Sequence, residues 1–536
     1  MLFEKDEIHF HNFLEEIRKY RGITIEQLCS GLCSVSQMHY IQSGERLPDY
    51  LMRNRIMARL GISSEGYEDY VQFDEYDRWI KRQKLISYIE DSKWSEAARF
   101  LYELEKEWKK ISKIEQQFLL DMKARILIHE DAGYFEIFEV YEKIVSLTAE
   151  GVLKGGRINI FLSQVEYYYV INYLYYKYKA KADDIKKISG ELKEIINKIL
   201  LSPLIGIARA KVLPLAVVKY FEIVQDRTFS FDDVWKYSCE AIEVLKDTER
   251  CYYLKELVHL RKIIVSENRK VNDISIEGKA VDIIENLKYE YFFMIPMWQN
   301  GYIYRDSQVN CIADVIRARR KMLGIGRKDL SDGICSERTL ERIEAKHSKP
   351  QQYVMNALFE KLHLVGEYRR TEIITTNIEL INRFNKYREE INQKRYDAAL
   401  ESAEYVIRNL DKKYISNKQV LIRLKSLNDL LNNKIDKQRY INNLEKAWRL
   451  SIGVDISVSE DCILTNGEVV LLHNILLQKK EKDNRQKVVV DYFKRMSDYT
   501  FYSYFSLYEL LKDWEASSLG NNGFFQNQTK YPLKYY

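Results

Sequence analysis

An internal repeat constrains the fold of this 536-residue chain more than any other feature of its sequence. When residues 18–62 are placed over residues 320–364, at a constant offset of 302 and without a gap, 12 of the 45 positions are identical. Random pairing would give roughly three identities at average residue usage. The chain therefore follows one plan twice, in copy 1 (1–302) and copy 2 (303–536), and each copy is a compact block followed by a longer region.

The composition indicates which kind of secondary structure the two copies contain. The chain has only 21 Gly and 6 Pro residues, which is well below the usual share of about 12% for the two together. Turns and β-bulges depend on Gly and Pro, whereas the abundant Lys, Glu, Leu and Ile suit helices. We expect an all-α protein of several domains.

The compact block of copy 1 has the pattern of short helices separated by tight turns. Residues 13–22 have the apolar spacing of an amphipathic helix that Gly22 ends. Thr24 can cap a second helix, with Gln27 completing a capping box, and Ser34 can cap a third. Two short helices about a glycine turn predict a helix-turn-helix.

Both blocks share the pattern R-K-x-x-G-I-x-x-x-x-L-x-x-G-[IL]-C-S-x-x-x-[ML]-x-x-I. This pattern resembles the XRE-like helix-turn-helix of the RRNPP family, the peptide-sensing transcriptional regulators of Gram-positive bacteria, and copy 2 resembles it more closely, through residues 329–336 and 339–344. The motif occupies the compact block of each copy. The resemblance implies a quorum-sensing type of function, in which a short signalling peptide controls how the helix-turn-helix is placed on double-stranded DNA.

The regions that follow the two blocks show helix-length apolar periodicity with short connections, which indicates stacked antiparallel helices. They resemble tetratricopeptide (TPR) arrays, and residues 464–474 resemble a helix of such arrays in these regulators. The expected fold is all-α, with two helix-turn-helix domains that are each followed by a TPR-like antiparallel helical array. The predicted order is a helix-turn-helix (1–66), an array (67–302), a second helix-turn-helix (303–366), a second array (367–516) and an irregular tail (517–536).

Charge divides unevenly between the two blocks. Residues 1–66 hold 8 Lys or Arg against 9 Asp or Glu, whereas residues 303–365 hold 12 against 8. Phosphate neutralisation requires basic residues, so copy 2 has the stronger electrostatic footprint for DNA. The DNA-contacting residues predicted in copy 2 are Arg327, Lys328, Ser336, Glu337, Arg338, Thr339, Arg342 and Lys346.

In copy 1, the predicted third helix, which would contact the DNA bases, has different side chains: Gln37 could hydrogen-bond to adenine and Tyr40 could contact a phosphate. Gln42 stands where the family has an acidic residue. Two interpretations stay open: copy 1 also reads DNA, or it is a packing or dimerisation domain that has lost its target. The candidate DNA contacts in copy 1 are Ser34, Ser36, Gln37, His39 and Tyr40.

A concave array face that holds a peptide needs side chains that donate and accept hydrogen bonds, and Asn does both. One predicted helix carries a polar and aromatic stripe, with the alternative that its tyrosines belong to the core of a chain with 40 Tyr. The candidate peptide contacts are Gln164, Tyr168, Asn172 and Tyr175 in the first array, and Asn428, Asn432 and Asn474 in the second.

The sequence contains no nucleotide-binding, nucleophile-elbow or zinc-protease motif, and we expect no enzyme, cofactor or metal. Seven scattered cysteines indicate a reduced, cytoplasmic protein, and no apolar run is long enough for a membrane span. The partners expected are DNA, a short peptide, and either a second copy or an intramolecular pseudo-dimer. Two rival functions stay open, a protein-binding adaptor with structural helix-turn-helix blocks and a ligand-independent repressor with dimerising arrays.

Overall fold

The fold is all-α, as the composition predicts, apart from one two-stranded sheet within the described part of the chain. The computed structural model describes residues 9–62, 69–153, 161–181, 185–225, 231–248, 250–268, 278–279, 281–282, 302–304, 309–365, 372–392, 395–452, 463–478 and 485. The predicted tail at 517–536, whose Phe524, Phe525 and Tyr531 are candidates for docking in a groove, lies outside these residues.

The first compact unit, block 1 (residues 9–62), contains four helices around one apolar core. Thr24 forms the predicted capping box with Gln27 at the start of the second helix, and Ser34, the predicted cap of the third helix, forms a capping box with Gln37. The core is formed mainly by Phe13, Leu14, Leu28, Met38 and Ile56. Its helices are α1 (Phe10–Tyr20), α2 (Ile25–Cys29), α3 (Val35–Gln42) and α4 (Tyr50–Arg59).

Array 1 (residues 69–268) follows block 1 as a series of helices that pack mostly against their sequence neighbours. A three-residue strand, β1 (Asp69–Val71), precedes it. Its helices are α5 (Phe73–Glu90), α6 (Trp94–Glu107), α7 (Lys113–His129), α8 (Tyr134–Thr148), α9 (Glu150–Leu153), α10 (Gln164–Lys181), α11 (Ile185–Leu201), α12 (Ile207–Ala210), α13 (Leu213–Val224), α14 (Phe231–Thr248) and α15 (Leu254–Asn268).

The second half repeats this order. A 3-10 turn at Tyr302–Tyr304 precedes block 2 (residues 309–365), which begins with strand β2 (Val309–Cys311). Block 2 contains α16 (Ile312–Met322), α17 (Arg327–Ser331), α18 (Glu337–Glu344) and α19 (Gln352–Lys361). Array 2 (residues 372–478) contains α20 (Ile378–Asn392), α21 (Tyr396–Asn409), α22 (Ile415–Leu431), α23 (Lys437–Trp448) and α24 (Asn466–Gln478).

Helix bounds repeat at the same offset as the sequence. All four helices of block 2 begin and end at the positions equivalent to those of block 1, and so do α21 relative to α6 and α22 relative to α7. Helix α24 also begins at the position equivalent to the start of α10. The register therefore continues through the arrays, where sequence identity is low.

The two halves pack on each other reciprocally. Strand β1, from the start of array 1, pairs in parallel with β2 at the start of block 2, and Tyr70 packs edge-on against Phe359. Lys349 of block 2 also forms an ion pair with Asp74 of array 1. In the opposite direction, Ile381 of array 2 is buried in the core of block 1. Each block thus contacts the first elements of the other half's array.

Candidate nucleic-acid interface

Helix α18 presents a polar face at the surface of block 2. Ser336 caps the helix by accepting from the Thr339 N–H at 3.1 Å, which fixes where it begins. Leu340 and Ile343 are buried in the block core. The opposite face leaves Ser336, Glu337, Arg338, Thr339 and Arg342 exposed, as the sequence pattern predicts.

Arg338 and Arg342 lie one turn apart on this exposed face. Neither guanidinium has an ion pair or a hydrogen bond with another residue in the part of the chain that the structure describes. Lys328, on the neighbouring α17, is exposed as well. Guanidinium groups with this freedom can donate to phosphates or, in pairs of N–H groups, to a guanine edge.

Two of the predicted DNA contacts also form ion pairs within block 2. The Arg327 Nε donates to Glu344 Oε2 at 2.8 Å, and Lys346 forms a 2.8 Å ion pair with Asp314. Arg320 completes the arrangement with a two-pronged bond to Glu344, at 2.6 and 3.1 Å. Arg327 and Lys346 therefore brace α16, α17 and α18 against one another, while 40% of each side chain stays exposed, and their role as DNA contacts stays a prediction.

Glu344 is buried between these two arginines, which together favour its ionised form. Burial alone raises the pKa of a carboxyl group, but the hydrogen bonds from Arg320 and Arg327 outweigh that effect and lower the pKa of Glu344 below its usual value. The carboxylate stays charged at neutral pH and stabilises the packing of the three helices.

Block 1 presents its predicted residues at the surface without this brace. Ser34, Ser36, Gln37, His39 and Tyr40 are all exposed, and the Gln37 side chain is engaged in the capping box through the Ser34 N–H. At the position of Glu344, block 1 has Gln42. The buried Arg18 Nε and Gln42 Nε2 find no acceptor among the described residues.

A buried arginine anchors each block to its own array. In the first half, Arg59 at the end of α4 binds Glu166 through its Nη2 (2.6 Å) and Nε (3.0 Å). In the second half, Arg319 on α16 binds Glu468 at 2.7 and 3.0 Å. Glu166 and Glu468 occupy equivalent positions of the repeat, but the arginines come from different helices.

Each of these glutamates also belongs to the start of an array helix. Glu166 accepts from the Ser163 N–H at 2.9 Å, and Glu468 accepts from the Thr465 N–H at 2.8 Å. The neighbouring Arg59 and Arg55 lower the pKa of Glu166 to about 2 against the opposing effect of its burial. These anchor residues were not among the predicted site residues, although the repeated S/T-x-x-E pattern signals them.

The predicted peptide stripe in array 1 lies inside the structure. Gln164, Tyr168, Asn172 and Tyr175 are all buried, with 5 to 9% of their surface exposed. Tyr168 accepts a 2.7 Å hydrogen bond from Arg125, and Asn172 donates to the Tyr168 carbonyl of its own helix. The stripe is part of a tyrosine-rich core, so the open peptide-contacting face predicted on these residues does not fit this structure.

The three candidate residues in array 2 make local bonds. Asn432 donates to the Asn428 side chain at 2.5 Å and to its carbonyl at 2.9 Å, at the C-terminal end of α22. Asn474 donates to the Val470 carbonyl at 2.6 Å, one turn earlier in α24. Asn432 is exposed, whereas Asn428 and Asn474 are partly buried.

No protein-family model matches this chain, and neither a curated protein nor a solved structure matches it significantly. Within the described residues, no helix has the length and apolar character that crossing a membrane requires. The same residues contain no group of three or more His, Cys, Asp or Glu side chains placed to hold a metal ion.

Proposed function

We propose that this protein is a DNA-binding transcriptional regulator, and that block 2 is its principal DNA-reading domain. The observation that carries the proposal is the exposed face of α18, on which Arg338 and Arg342 have no partner in the described structure. The helix-turn-helix interpretation of blocks 1 and 2 is supported by the four short helices, by the caps at Ser34 and Ser336, and by the sequence pattern they share.

The second helix of a helix-turn-helix lies in the major groove and presents its first turns to base edges. Arg338 is at the second position of α18, and Arg342 is one turn further along. The brace of Arg320, Glu344 and Arg327 fixes this helix relative to α16 and α17. A rigid support of this kind reduces the entropy lost when side chains order on DNA.

The reciprocal packing of the two halves supports an intramolecular pseudo-dimer. Block 1 contacts array 2 through Ile381, and block 2 contacts array 1 through β1 and Asp74. Such an arrangement would present two unlike helices, α3 and α18, to an asymmetric DNA site. We interpret the arrays as TPR-like and propose that they bind a short peptide or another ligand. The ligand must bind with different affinity in two arrangements of the blocks, because only such a difference can shift the equilibrium between the arrangements.

In vitro selection of bound DNA by the full-length protein, followed by affinity measurements over a range of salt concentrations, tests this function. We expect Arg338→Glu with Arg342→Glu to weaken binding to the selected site at least 100-fold. The slope of log affinity against log salt should fall by about two, because each phosphate contact contributes about 0.9.

A matched control is Lys412→Glu with Lys418→Glu, which makes the same charge change at exposed positions of array 2. This control should retain nearly full affinity. If both double variants bind DNA equally well, block 2 is not the reader. If the unchanged protein selects no DNA, the result favours the protein-binding adaptor over the proposed function. If it selects DNA but its DNA affinity does not change when peptides are added, the result favours the ligand-independent repressor.

A further inference from the structure

A cleft lies where block 1 meets array 1, and no step of the proposed DNA binding uses it. Its cavity volume is about 80 Å³, and it opens to solvent on one side. Helix α4 of block 1 forms one wall, α5, α7 and α10 form the others, and the 3-10 turn at Tyr302–Tyr304 closes one side. The cleft is therefore lined by both a block and its array.

Arg82 of α5 contributes a positive charge to the wall of this cleft. The residue is 5% exposed, and its guanidinium carbon lies 5.2 Å from the centre of the Tyr50 ring. Among the described residues it has no ion pair and no hydrogen bond. A buried charge without a counter-ion is costly, so this position favours an anion.

Three of the nearby carboxylates are already held by other arginines, and a fourth, Glu75, accepts from the backbone N–H groups of Tyr50 and Gln72. Asp69 pairs with Arg53, Glu115 pairs with Arg78, and Glu166 is shared by Arg59 and Arg55. Positive charge therefore exceeds negative charge around the cleft, and Arg82 is the guanidinium left without a partner in this group.

A second, independent feature is the side-chain oxygen of Gln164. Gln164 lines the cleft at the start of α10, and it is 5% exposed. Its Oε1 is buried and accepts no hydrogen bond from any described residue. A buried acceptor without a donor costs about 1–3 kcal/mol, which a bound molecule with an N–H or O–H group would recover.

We infer that this cleft binds a small organic carboxylate with an apolar, aromatic body and one hydrogen-bond donor. The carboxylate pairs with Arg82, the donor bonds to Gln164 Oε1, and the body packs on Ile86, Phe118 and Tyr169, which also line the cleft. This mixture of mostly apolar walls with a few placed polar groups is typical of small-molecule sites.

The site is placed to influence both blocks. Tyr50 and Arg55 on its wall belong to α4 of block 1. Tyr304 on its wall is held by hydrogen bonds to Tyr169 at 2.7 Å and Asp121 at 2.9 Å. It precedes β2 and block 2 by a few residues, so a bound molecule contacts the attachments of both blocks. The effect on DNA, unlike binding itself, rests on the proposed function.

Ligand-observed NMR titration of the full-length protein with 4-hydroxyphenylacetate tests the site, since this probe has the carboxylate, the ring and the donor. We expect a Kd on the order of 0.1–1 mM for a molecule of this size. Phenylacetate, which lacks the donor, should bind about threefold to tenfold more weakly, because Gln164 Oε1 then stays unpaired. Tyramine, a cation, should not bind.

Two variants and one control assign the contacts. Arg82→Gln should weaken both carboxylates at least tenfold, and Gln164→Met should weaken only 4-hydroxyphenylacetate, to the level of phenylacetate. Lys84→Gln, an exposed change on the same helix, should alter neither. Circular dichroism melting establishes that each variant is folded.

Absence of saturable binding by the unchanged protein, or equal binding by Arg82→Gln, would overturn the inference. Hydrogen exchange at α4 and at 309–311 should slow when 4-hydroxyphenylacetate is bound, whether or not the protein binds DNA. If DNA binding is established, a saturating concentration of the probe should change DNA affinity at least threefold. If the protein does not bind DNA, the NMR titration still decides whether the cleft binds the carboxylate.

Discussion

Blocks 1 and 2 have the same four helices at a constant offset, but they are attached to their arrays differently. In block 1, Gly31 and Gly61 approach array 1 so closely that an added Cβ would lie 2.2 Å from the Thr148 carbonyl oxygen and 2.0 Å from that of Pro203. In block 2, the space around Gly333 is open, and His363 stands at the position of Gly61. Block 1 is therefore fitted tightly to its own array.

The internal bracing is distributed in the opposite way. Block 2 ties three of its helices together through Glu344, whereas block 1 has Gln42 there, and its buried Arg18 Nε and Gln42 Nε2 have no acceptor in the part of the chain that the structure describes. The comparison shows that one backbone plan can gain its rigidity either from contact with a neighbour or from an internal ion network. The second solution leaves the outer surface of block 2 free, including the exposed face of α18.

The largest expected effect comes from a feature that the two halves share. Glu166→Gln and Glu468→Gln should each lower the free energy of unfolding by about 3–5 kcal/mol, because a buried arginine loses its counter-ion. Chemical denaturation measures this. Glu404→Gln, in an exposed pair with Arg408, is the control and should cost less than about 0.5 kcal/mol.

The ion pair of Glu166 with Arg59 also predicts that the free energy of unfolding depends on pH. The folded-state pKa of Glu166 is about 2, below its ordinary value of 4.5. Its contribution is therefore fully present above pH 4.5 and is lost as the pH falls toward 2. Glu166→Gln should make the acid-induced loss of stability shallower in this window, and an unchanged slope would exclude the anchor as its source.

The next effect separates the blocks. Gly31→Ala should destabilise the protein by about 2–4 kcal/mol, since it combines a left-handed backbone position (φ +73°) with a clash against Thr148. Gly333→Ala, at φ +71° in open space, should cost only about 1 kcal/mol. Equal losses would show that block 1 is not seated on array 1 as described.

Exchanging Glu344 and Gln42 tests whether the internal ion network accounts for the difference in stability between the two blocks. Glu344→Gln should cost about 1–3 kcal/mol, because Arg320 and Arg327 lose a charged acceptor. Gln42→Glu, which provides a carboxylate for Arg18, should stabilise block 1 by up to about 1 kcal/mol. Amide hydrogen exchange in α1, α3, α16 and α18 distinguishes the two blocks, and matching responses would remove the difference between them.

A graft of the α18 surface onto α3 is expected to have the smallest effect. Ser36→Arg with Tyr40→Arg places guanidinium groups at the positions equivalent to Arg338 and Arg342. Affinity for non-specific DNA should rise about tenfold, with a steeper salt dependence. An unchanged affinity would indicate that α3 does not face the DNA that we propose α18 contacts.

Much of the fold was predictable because the repeat fixed the register. Trp94 and Tyr396 are related by the same offset of 302, and the helices that begin at them, α6 and α21, agree in their bounds at both ends. Thr24 and Ser34 were predictable as caps because a capping box is a local pattern. Local chemistry of this kind is readable without knowledge of distant contacts.

The site was less predictable, since its residues depend on contacts between distant segments. The spacing of Tyr168 and Asn172 fits a helix face, but it cannot tell a concave surface from a core. Arg327 could not be assigned to bracing without knowing that Glu344 lies beside it. Arg59 and Arg319 bind equivalent glutamates from positions that the repeat does not relate, so self-comparison of the sequence cannot find the pair.

The pairing of β1 with β2 has a consequence for biosynthesis. Asp69 pairs with Val309, so nearly all of array 1 separates the two strands in the chain. At a synthesis rate of about 5–20 residues per second, Asp69–Val71 waits about 12–48 s for its partner strand to be made. Block 1 and much of array 1 thus emerge while this strand still lacks its partner, and the two halves can join only late in translation.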